Sequence, residues 1–216
     1  MSAQTKSSRA DGRPSPLWTA LPSWVLYPAG LVPAVYYIYS GVTNTLGPDP
    51  ISTLENALGE WALIFMVIGL AISPIQRIFR VNLVKYRRAI GLVAFAYVTL
   101  HLSTYVGLDR QFVWSEIWTD IMKRPYITIG TASFLMLLPL AITSNNASVR
   151  KMGAAAWRNL HKLTYPAALL GAIHYVLLAK TWQAEPLFYL TVITALLIWR
   201  FARKKSRNST AGNAGN

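Results

Sequence analysis

Long apolar runs without charged residues recur along the chain, separated by shorter polar and basic segments. A helix that crosses a bilayer needs about 20 mostly apolar residues, because it must satisfy its own backbone hydrogen bonds in the hydrocarbon. Six such runs are present, at residues 23–48, 61–76, 89–108, 125–149, 163–179 and 186–199. Three of the runs are short, and charged residues at their ends can reach the headgroups. The pattern predicts a bundle of six transmembrane helices.

The composition agrees with a membrane protein. Hydrophobic residues make up 53% of the 216 residues and charged residues only 13%, with a mean hydropathy of +0.33. We therefore expect an all-α membrane protein in which residues 23–201 form the six-helix domain. Residues 1–22 are expected to be a polar, basic cytoplasmic N-terminus, and residues 202–216 a disordered basic C-terminal tail rich in Asn, Gly, Ala and Ser.

The charges are unequally divided between the two predicted sides of the membrane. If the loops alternate, 17 of the 21 lysines and arginines lie on the side of the N-terminus, whereas seven of the eight acids lie on the other side. This is the positive-inside pattern, which predicts that both termini are cytoplasmic. The net charge of +13 is then explained by topology and attraction to anionic lipid, and no nucleic acid is expected as a partner.

The longest segments on the outer side are residues 44–60 and 109–124. In the second, Trp114 and Trp118 lie beside Ile117, a pattern that favours a short helix at the outer membrane interface. The loops are too short for a soluble domain, and the sequence contains no GxGxxG or GxxxxGK[ST] nucleotide-binding motif. An electron donor that uses a nucleotide cofactor would therefore have to be a separate molecule.

Candidate chemistry is concentrated in the histidines. Cysteine is absent, which excludes disulfides, thiolate metal sites and cysteine nucleophiles. His101 lies 12 residues after Ala89 and His174 lies 11 residues after Leu163, about 18 and 16 Å along two helices that run in the same direction. The two imidazoles are therefore expected at matched depth, slightly toward the outer leaflet. Without carboxylates for a proton relay or further zinc ligands at that depth, a haem iron with two axial histidines fits best.

The third histidine, His161, precedes His174 by 13 residues, about 20 Å along the axis, and so is expected at the cytoplasmic edge. The equivalent position on the partner helix, 13 residues before His101, is Arg88. Three roles are open for His161: binding a second haem with an unusual opposing ligand, positioning a propionate or flavin phosphate, or a structural role at the interface. Arg87 and Arg88 are either topology signals or partners of propionates.

Around these histidines the sequence resembles the MsrQ (YedZ) family, the haem-binding membrane subunits of bacterial periplasmic methionine sulfoxide reductase systems. The resemblance covers roughly residues 31–199 and is clearest in three blocks: RRAIGLVAFAYVTLHLSTY, KRPYITIG and WRNLHKLTYPAALLGAIHY. It extends more distantly to the membrane domain of ferric reductases and NADPH oxidases. Those proteins carry two histidines on each of two helices, and Arg88 is where this chain departs from them.

The resemblance implies a b-type cytochrome of the bacterial inner membrane that passes electrons to a periplasmic molybdopterin-containing reductase. Catalysis on methionine sulfoxide is then expected in that partner, and no catalytic residue is expected in this chain. Haem b and FMN are the implied cofactors, and the quinone pool or a cytosolic flavin reductase is the implied donor. His101, His174 and His161 are candidate iron ligands and Arg88 a candidate cofactor-binding residue. The outer acids Asp109, Glu116 and Asp120 either dock the partner or are solvated loop charges.

Two other readings remain. The first is a quinol-oxidising or ferric-reducing cytochrome with the same bundle and another acceptor. The second, from a different class, is a transporter or assembly subunit without haem, whose histidines would serve a proton path or contacts between helices.

Overall fold

The computed structural model describes residues 21–179 and 183–213, with side chains up to residue 202. Within these ranges the chain is helical and contains no β-strand. The α-helices are α1 (Leu26–Val42), α2 (Pro50–Phe79), α3 (Arg87–Thr104), α4 (Trp114–Lys123), α5 (Pro125–Ile142), α6 (Asn146–Met152), α7 (Ala154–Leu160), α8 (Thr164–Leu178) and α9 (Ala184–Asn213). Short 3₁₀ turns precede α1, α3 and α8, and a π-helical segment, Tyr105–Asp109, continues α3.

Five helical stretches in the described ranges are long and apolar enough to cross a membrane. They are Ser23–Val42, Pro50–Phe79, Val84–Asp109, Pro125–Ile142 and Ala184–Ala202. The expectation of an all-α membrane protein is thus confirmed. The predicted fifth span corresponds to α8, whose 15 residues are fewer than the roughly 20 that a straight crossing needs. The count of six spans and the cytoplasmic location of both termini therefore remain predictions.

The second helix begins earlier than its charge-free run suggests. Pro50 occupies its first turn, and the Asp49 side chain accepts a hydrogen bond from the backbone N–H of Ser52 at 3.1 Å. A capping aspartate followed by proline is a strong start signal, so α2 starts at residue 50 and not at residue 61. Its 30 residues extend about 45 Å, longer than the hydrocarbon core of a bilayer.

The helices pack in two closely paired sets that meet at the centre of the bundle. Helix α2 lies along α3, and α5 lies along α8, while α9 packs on both α8 and α2. Small buried residues of α8, namely Ala167, Ala168 and Ala172, form the centre of the largest apolar cluster. Because alanine side chains are short, the neighbouring helices can approach α8 closely.

Helix α1 is joined to the bundle through a buried tyrosine. The Tyr97 hydroxyl of α3 donates to the carbonyl of Gly30 at 2.8 Å and accepts from the backbone N–H of Ala34 at 3.0 Å. The hydroxyl is thereby inserted between the carbonyl of Gly30 and the N–H of Ala34, which are four residues apart, the spacing of an ordinary helical hydrogen bond. Tyr97 has no exposed surface and stacks on Phe65 and Trp61.

The segment after α3, which the charge pattern predicts on the outer side, contains the short helix that the tryptophan pattern predicts. Helix α4 is separated from α5 by Arg124 alone. At the other end of the chain, α9 continues to Asn213, into the segment for which the sequence predicts a disordered tail. Most of the predicted N-terminal segment 1–22 lies outside the described residues, and the predicted domain boundaries stay predictions.

Candidate functional site

The structure brings the imidazoles of His101 and His174 together at the centre of the bundle. His101 comes from α3 and His174 from α8, and their ring centroids are 6.2 Å apart with planes inclined at 77°. Each histidine lies near the C-terminal end of its helix, four residues before Tyr105 and Leu178 respectively. The residue count along two like-directed helices therefore predicts their matched level.

Backbone carbonyls orient both rings. The Nδ1 atom of His101 lies 2.9 Å from the carbonyl oxygen of Glu55 on α2. The Nδ1 atom of His174 lies 2.7 Å from the carbonyl oxygen of Tyr126 on α5. Because a carbonyl oxygen can only accept, each Nδ1 carries the proton and donates it, which leaves the lone pair of Nε2 available. In metal-binding histidines the ring nitrogen that does not bind the metal commonly donates such a hydrogen bond.

Two glycines make these hydrogen bonds possible. Gly59 lies four residues after Glu55, and Gly130 lies four residues after Tyr126, one helical turn in each case. A Cβ atom at Gly59 would lie 3.1 Å from Nδ1 of His101, and one at Gly130 would lie 2.8 Å from Nδ1 of His174. Each imidazole thus rests against the bare backbone of a neighbouring helix, where a larger residue would displace it.

The histidines line a cavity of about 690 Å³ between α2, α3, α5 and α8. This volume lies within the range of small-molecule and cofactor sites. Apolar side chains such as Leu63, Met66 and Phe134 line part of the wall, whereas acidic and basic residues line another part. The charged lining residues include Glu55, Asp109, Arg110 and Arg124.

The donor set fits a haem iron. An iron bound by one nitrogen of each ring would place the ring centroids about 6 Å apart, since a metal–imidazole bond is about 2 Å and each ring centre lies about 1 Å behind its nitrogen. The observed separation is 6.2 Å. Among the described residues, no group of three or more His, Asp or Glu side chains is arranged to hold a metal ion. Two neutral imidazoles and an apolar wall suit an iron whose other four ligands belong to a porphyrin.

The third histidine occupies a different environment. His161 lies in the 3₁₀ turn before α8, outside the cavity lining, and its Nε2 is 3.2 Å from the Thr143 hydroxyl. Its ring stacks on Trp157 with centroids 3.8 Å apart. Burial lowers the pKa of His161, and the positive charge of Arg88 lowers this pKa further. The structure therefore does not bring His161 to the His101–His174 pair, and its role as a ligand stays a prediction.

Arg88 is exposed and donates to the side-chain oxygen of Asn146 at 2.7 Å. Its neighbour Arg87 is half-buried and donates to the Ser73 hydroxyl, to which Arg200 also donates at 3.0 Å. Neither Arg87 nor Arg88 lines the cavity that holds the histidine pair. Arg88 is instead close enough to His161 to influence its charge, and its predicted cofactor-binding role is untested.

The sequence interpretation missed the residues that support the histidine pair. The carbonyls of Glu55 and Tyr126 cannot be recognised from side-chain chemistry, because any residue could supply them. Gly59 and Gly130 did leave a signal, since glycine inside a helix is destabilising by about 1 kcal/mol relative to alanine and usually has a packing reason.

Comparison with known proteins places this site in a family. A family model described as "Ferric reductase like transmembrane component" matches residues 58–172, which include His101 and His161 and end two residues before His174. The chain is 48% identical over 185 residues to the protein-methionine-sulfoxide reductase heme-binding subunit MsrQ of Brucella anthropi, covering 86% of this chain and 84% of the relative. The proteins of the same name from Brucella ovis and Brucella canis are 49% identical over 180 residues, or 83% of this chain and 81% of each relative.

Proposed function

Because this chain belongs to the family of MsrQ heme-binding subunits and has a ferric reductase-like transmembrane domain, we propose that it is a b-type cytochrome of the bacterial inner membrane. In this proposal it relays electrons to a periplasmic, molybdopterin-dependent methionine sulfoxide reductase, which repairs oxidised proteins. The observation that carries the proposal is the pair of imidazoles, whose ring centroids are 6.2 Å apart and whose Nδ1 atoms are each held by a backbone carbonyl, which leaves both Nε2 lone pairs available.

In this proposal His101 and His174 would hold the haem iron. Haem iron supplies one-electron oxidation and reduction when it is bound, while the protein sets its ligands and surroundings. Because both imidazoles would bind the iron, the site would not take up oxygen or a substrate. The histidine pair is therefore suited to electron transfer, and reduction of methionine sulfoxide is assigned to the partner.

The electron balance fits a relay. Reduction of a sulfoxide to a thioether consumes two electrons and two protons and releases water, so the cytochrome would deliver two electrons in single steps. The chain carries no nucleotide-binding motif, which supports a separate donor, either the quinone pool or a cytosolic flavin reductase. FMN and a second haem near His161 and Arg88 remain part of the proposal, and neither supplies its main support.

The position of the pair also favours delivery to the outer side. Both histidines lie about one turn from the helix ends that the charge distribution assigns to the outer face. The cavity reaches Asp49, Glu55 and Asp109, which lie on that same predicted side. An electron on the iron would thus be close to a partner in the periplasm and far from the cytoplasm.

The test is reoxidation of the reduced cytochrome. The purified protein is placed in proteoliposomes, reduced with dithionite that is then removed, and mixed with the molybdenum reductase and a methionine sulfoxide substrate. We expect the reduced haem absorbance to decay only when both are present, and a reductase lacking its molybdenum cofactor is the matched control. A decay driven equally well by a ferric chelate without the reductase would favour the rival ferric-reducing cytochrome. A purified protein that shows no Soret band after haem-replete expression would refute a cytochrome altogether.

A further inference from the structure

The short outer helix α4 has two faces of opposite character. Trp114, Trp118 and Met122 follow one another at intervals of four residues and are 67%, 63% and 62% exposed. Ile117 and Asp120, on the opposite face, are each only 8% exposed. An exposed stripe that contains two tryptophans and a methionine requires an apolar or interfacial neighbour.

The buried face of α4 covers the cavity of the histidine pair. Ile117 and Ile121 belong to the cavity lining, together with Arg124 immediately after the helix. Ile117 lies on α4, whereas His101 and His174 come from α3 and α8, so the helix closes a space that the bundle itself leaves open. The outer end of the cavity is therefore formed by a surface helix and not by a membrane span.

The connections of α4 keep it at the level of the membrane surface. The π-helical continuation of α3 ends at Asp109, and α5 begins at Pro125, one residue after the end of α4. Both flanking segments are candidate membrane spans, so α4 cannot leave the surface of the bilayer while they stay inserted. Leu108 and Phe112, just before the helix, are also exposed, and the Phe112 ring centroid lies 6.3 Å from that of Trp114. Tryptophan is enriched at this level of membrane proteins.

A buried carboxylate attaches the other face of α4 to the bundle. Asp120 lies 2.9 Å from Nε of Arg110 and 2.9 Å from Nε of Arg124, and it accepts a hydrogen bond from the Tyr105 hydroxyl at 2.9 Å. Tyr105 lies one turn after His101 on the same helical stretch. Asp120 is therefore not a freely solvated acid, contrary to one expectation from the sequence, and its charge is neutralised within the site.

The attachment reaches the second histidine as well. Arg124 donates to the Tyr126 hydroxyl at 3.1 Å, and the Tyr126 carbonyl accepts the hydrogen bond from His174. A single carboxylate on α4 thus connects to the helical stretch that carries His101 and to the residue whose carbonyl holds His174.

We propose that α4 covers the histidine cavity and is held in place by apolar side chains inserted into the bilayer. Its stripe of Trp114, Trp118 and Met122 inserts into the outer leaflet, and Asp120 fastens its opposite face over the cavity mouth. The occupant of the exposed stripe is the bilayer itself, and a protein partner on that stripe is the competing outcome. The proposal does not depend on haem, because the cavity and the cover are formed by the chain alone.

The position of the stripe can be measured in a protein that has no cysteine of its own. Trp118→Cys and, as a matched control two residues away on the same helix, Glu116→Cys are each given a nitroxide label in phosphatidylglycerol–phosphatidylethanolamine vesicles. We expect the label at 118 to be relaxed more by oxygen than by a water-soluble nickel chelate, and the label at 116 to show the reverse. Equal access of the nickel chelate to both labels would overturn the lipid assignment. If the nickel chelate reached the label at 118 until the reductase was added and not afterwards, the stripe would be assigned to a protein partner. That result would also overturn the lipid assignment.

The covering role has its own measurement. Ile117→Cys is exposed to a membrane-impermeant maleimide, with and without bound haem, and should react slowly. Replacing Trp114 and Trp118 by serine should accelerate labelling about tenfold, because the cover loses its apolar contact with lipid and opens more often. Trp24→Ser, an exposed tryptophan far along the chain, is the control and should leave the rate unchanged. Fast labelling of Ile117→Cys in the otherwise unchanged protein would refute the cover even if haem binds as proposed.

Discussion

The most exact prediction concerns the glycine that supports His174. In Gly130→Ala the new methyl carbon would lie 2.8 Å from Nδ1, 3.0 Å from Cε1 and 3.2 Å from Cγ of the imidazole. Non-bonded carbon and nitrogen atoms prefer separations of about 3.5 to 4.0 Å, so the ring must retreat by roughly 0.7 Å. Its hydrogen bond to the Tyr126 carbonyl is 2.7 Å long and would then exceed the usual limit of about 3.2 Å.

The expected cost follows from these two losses. Overpacking of this kind costs about 1–3 kcal/mol, and a buried donor that loses its acceptor costs about 1–3 kcal/mol more. We therefore expect Gly130→Ala to bind less haem per chain and to show an altered low-spin electron paramagnetic resonance spectrum. Gly59→Ala should have a smaller effect of the same kind, since the corresponding contact to His101 is 3.1 Å.

The assay is the haem-to-protein ratio combined with the low-temperature spectrum of the ferric form. Gly91→Ala is the matched control, because it lies on the helix of His101 and an added methyl carbon there would meet nothing within 4 Å. If Gly130→Ala retained haem and an unchanged spectrum, like Gly91→Ala, the inferred role of the glycines would be refuted.

Two further predictions concern the helices that carry the site. Tyr97→Phe should lower the free energy of unfolding by about 1–3 kcal/mol, because its buried hydroxyl bonds to Gly30 and Ala34 of α1; an unchanged denaturation midpoint in detergent would contradict this. Asp49→Ala should speed hydrogen exchange in the first turns of α2, since the cap on Ser52 contributes about 1 kcal/mol; unchanged exchange there would show that packing alone fixes this helix end.

The sequence predicts the membrane-embedded helices well because hydrocarbon leaves the backbone few alternatives. Charge-free runs locate most of the helices, and helix geometry places His101 and His174 at one level. The ends of the helices were predicted less well. The run-based prediction started α2 at residue 61, although Asp49 and Pro50 form a cap that the sequence displays.

What could not be predicted depends on contacts between helices. Periodicity does not reveal that the carbonyls of Glu55 and Tyr126 accept from the two imidazoles, because every residue has a carbonyl. It also does not reveal that Asp120 is buried between two arginines, since an isolated acidic residue in an outer loop is usually solvated.

The central claim is that His101 and His174 bind one iron between them. It is tested most directly by the spin state of ferric haem in His161→Ala, a background that retains only these two histidines. The account predicts one low-spin haem per chain in this background, and its loss or conversion to high spin when either His101→Ala or His174→Ala is added. A low-spin haem that persists in a protein lacking either of these two histidines would contradict it.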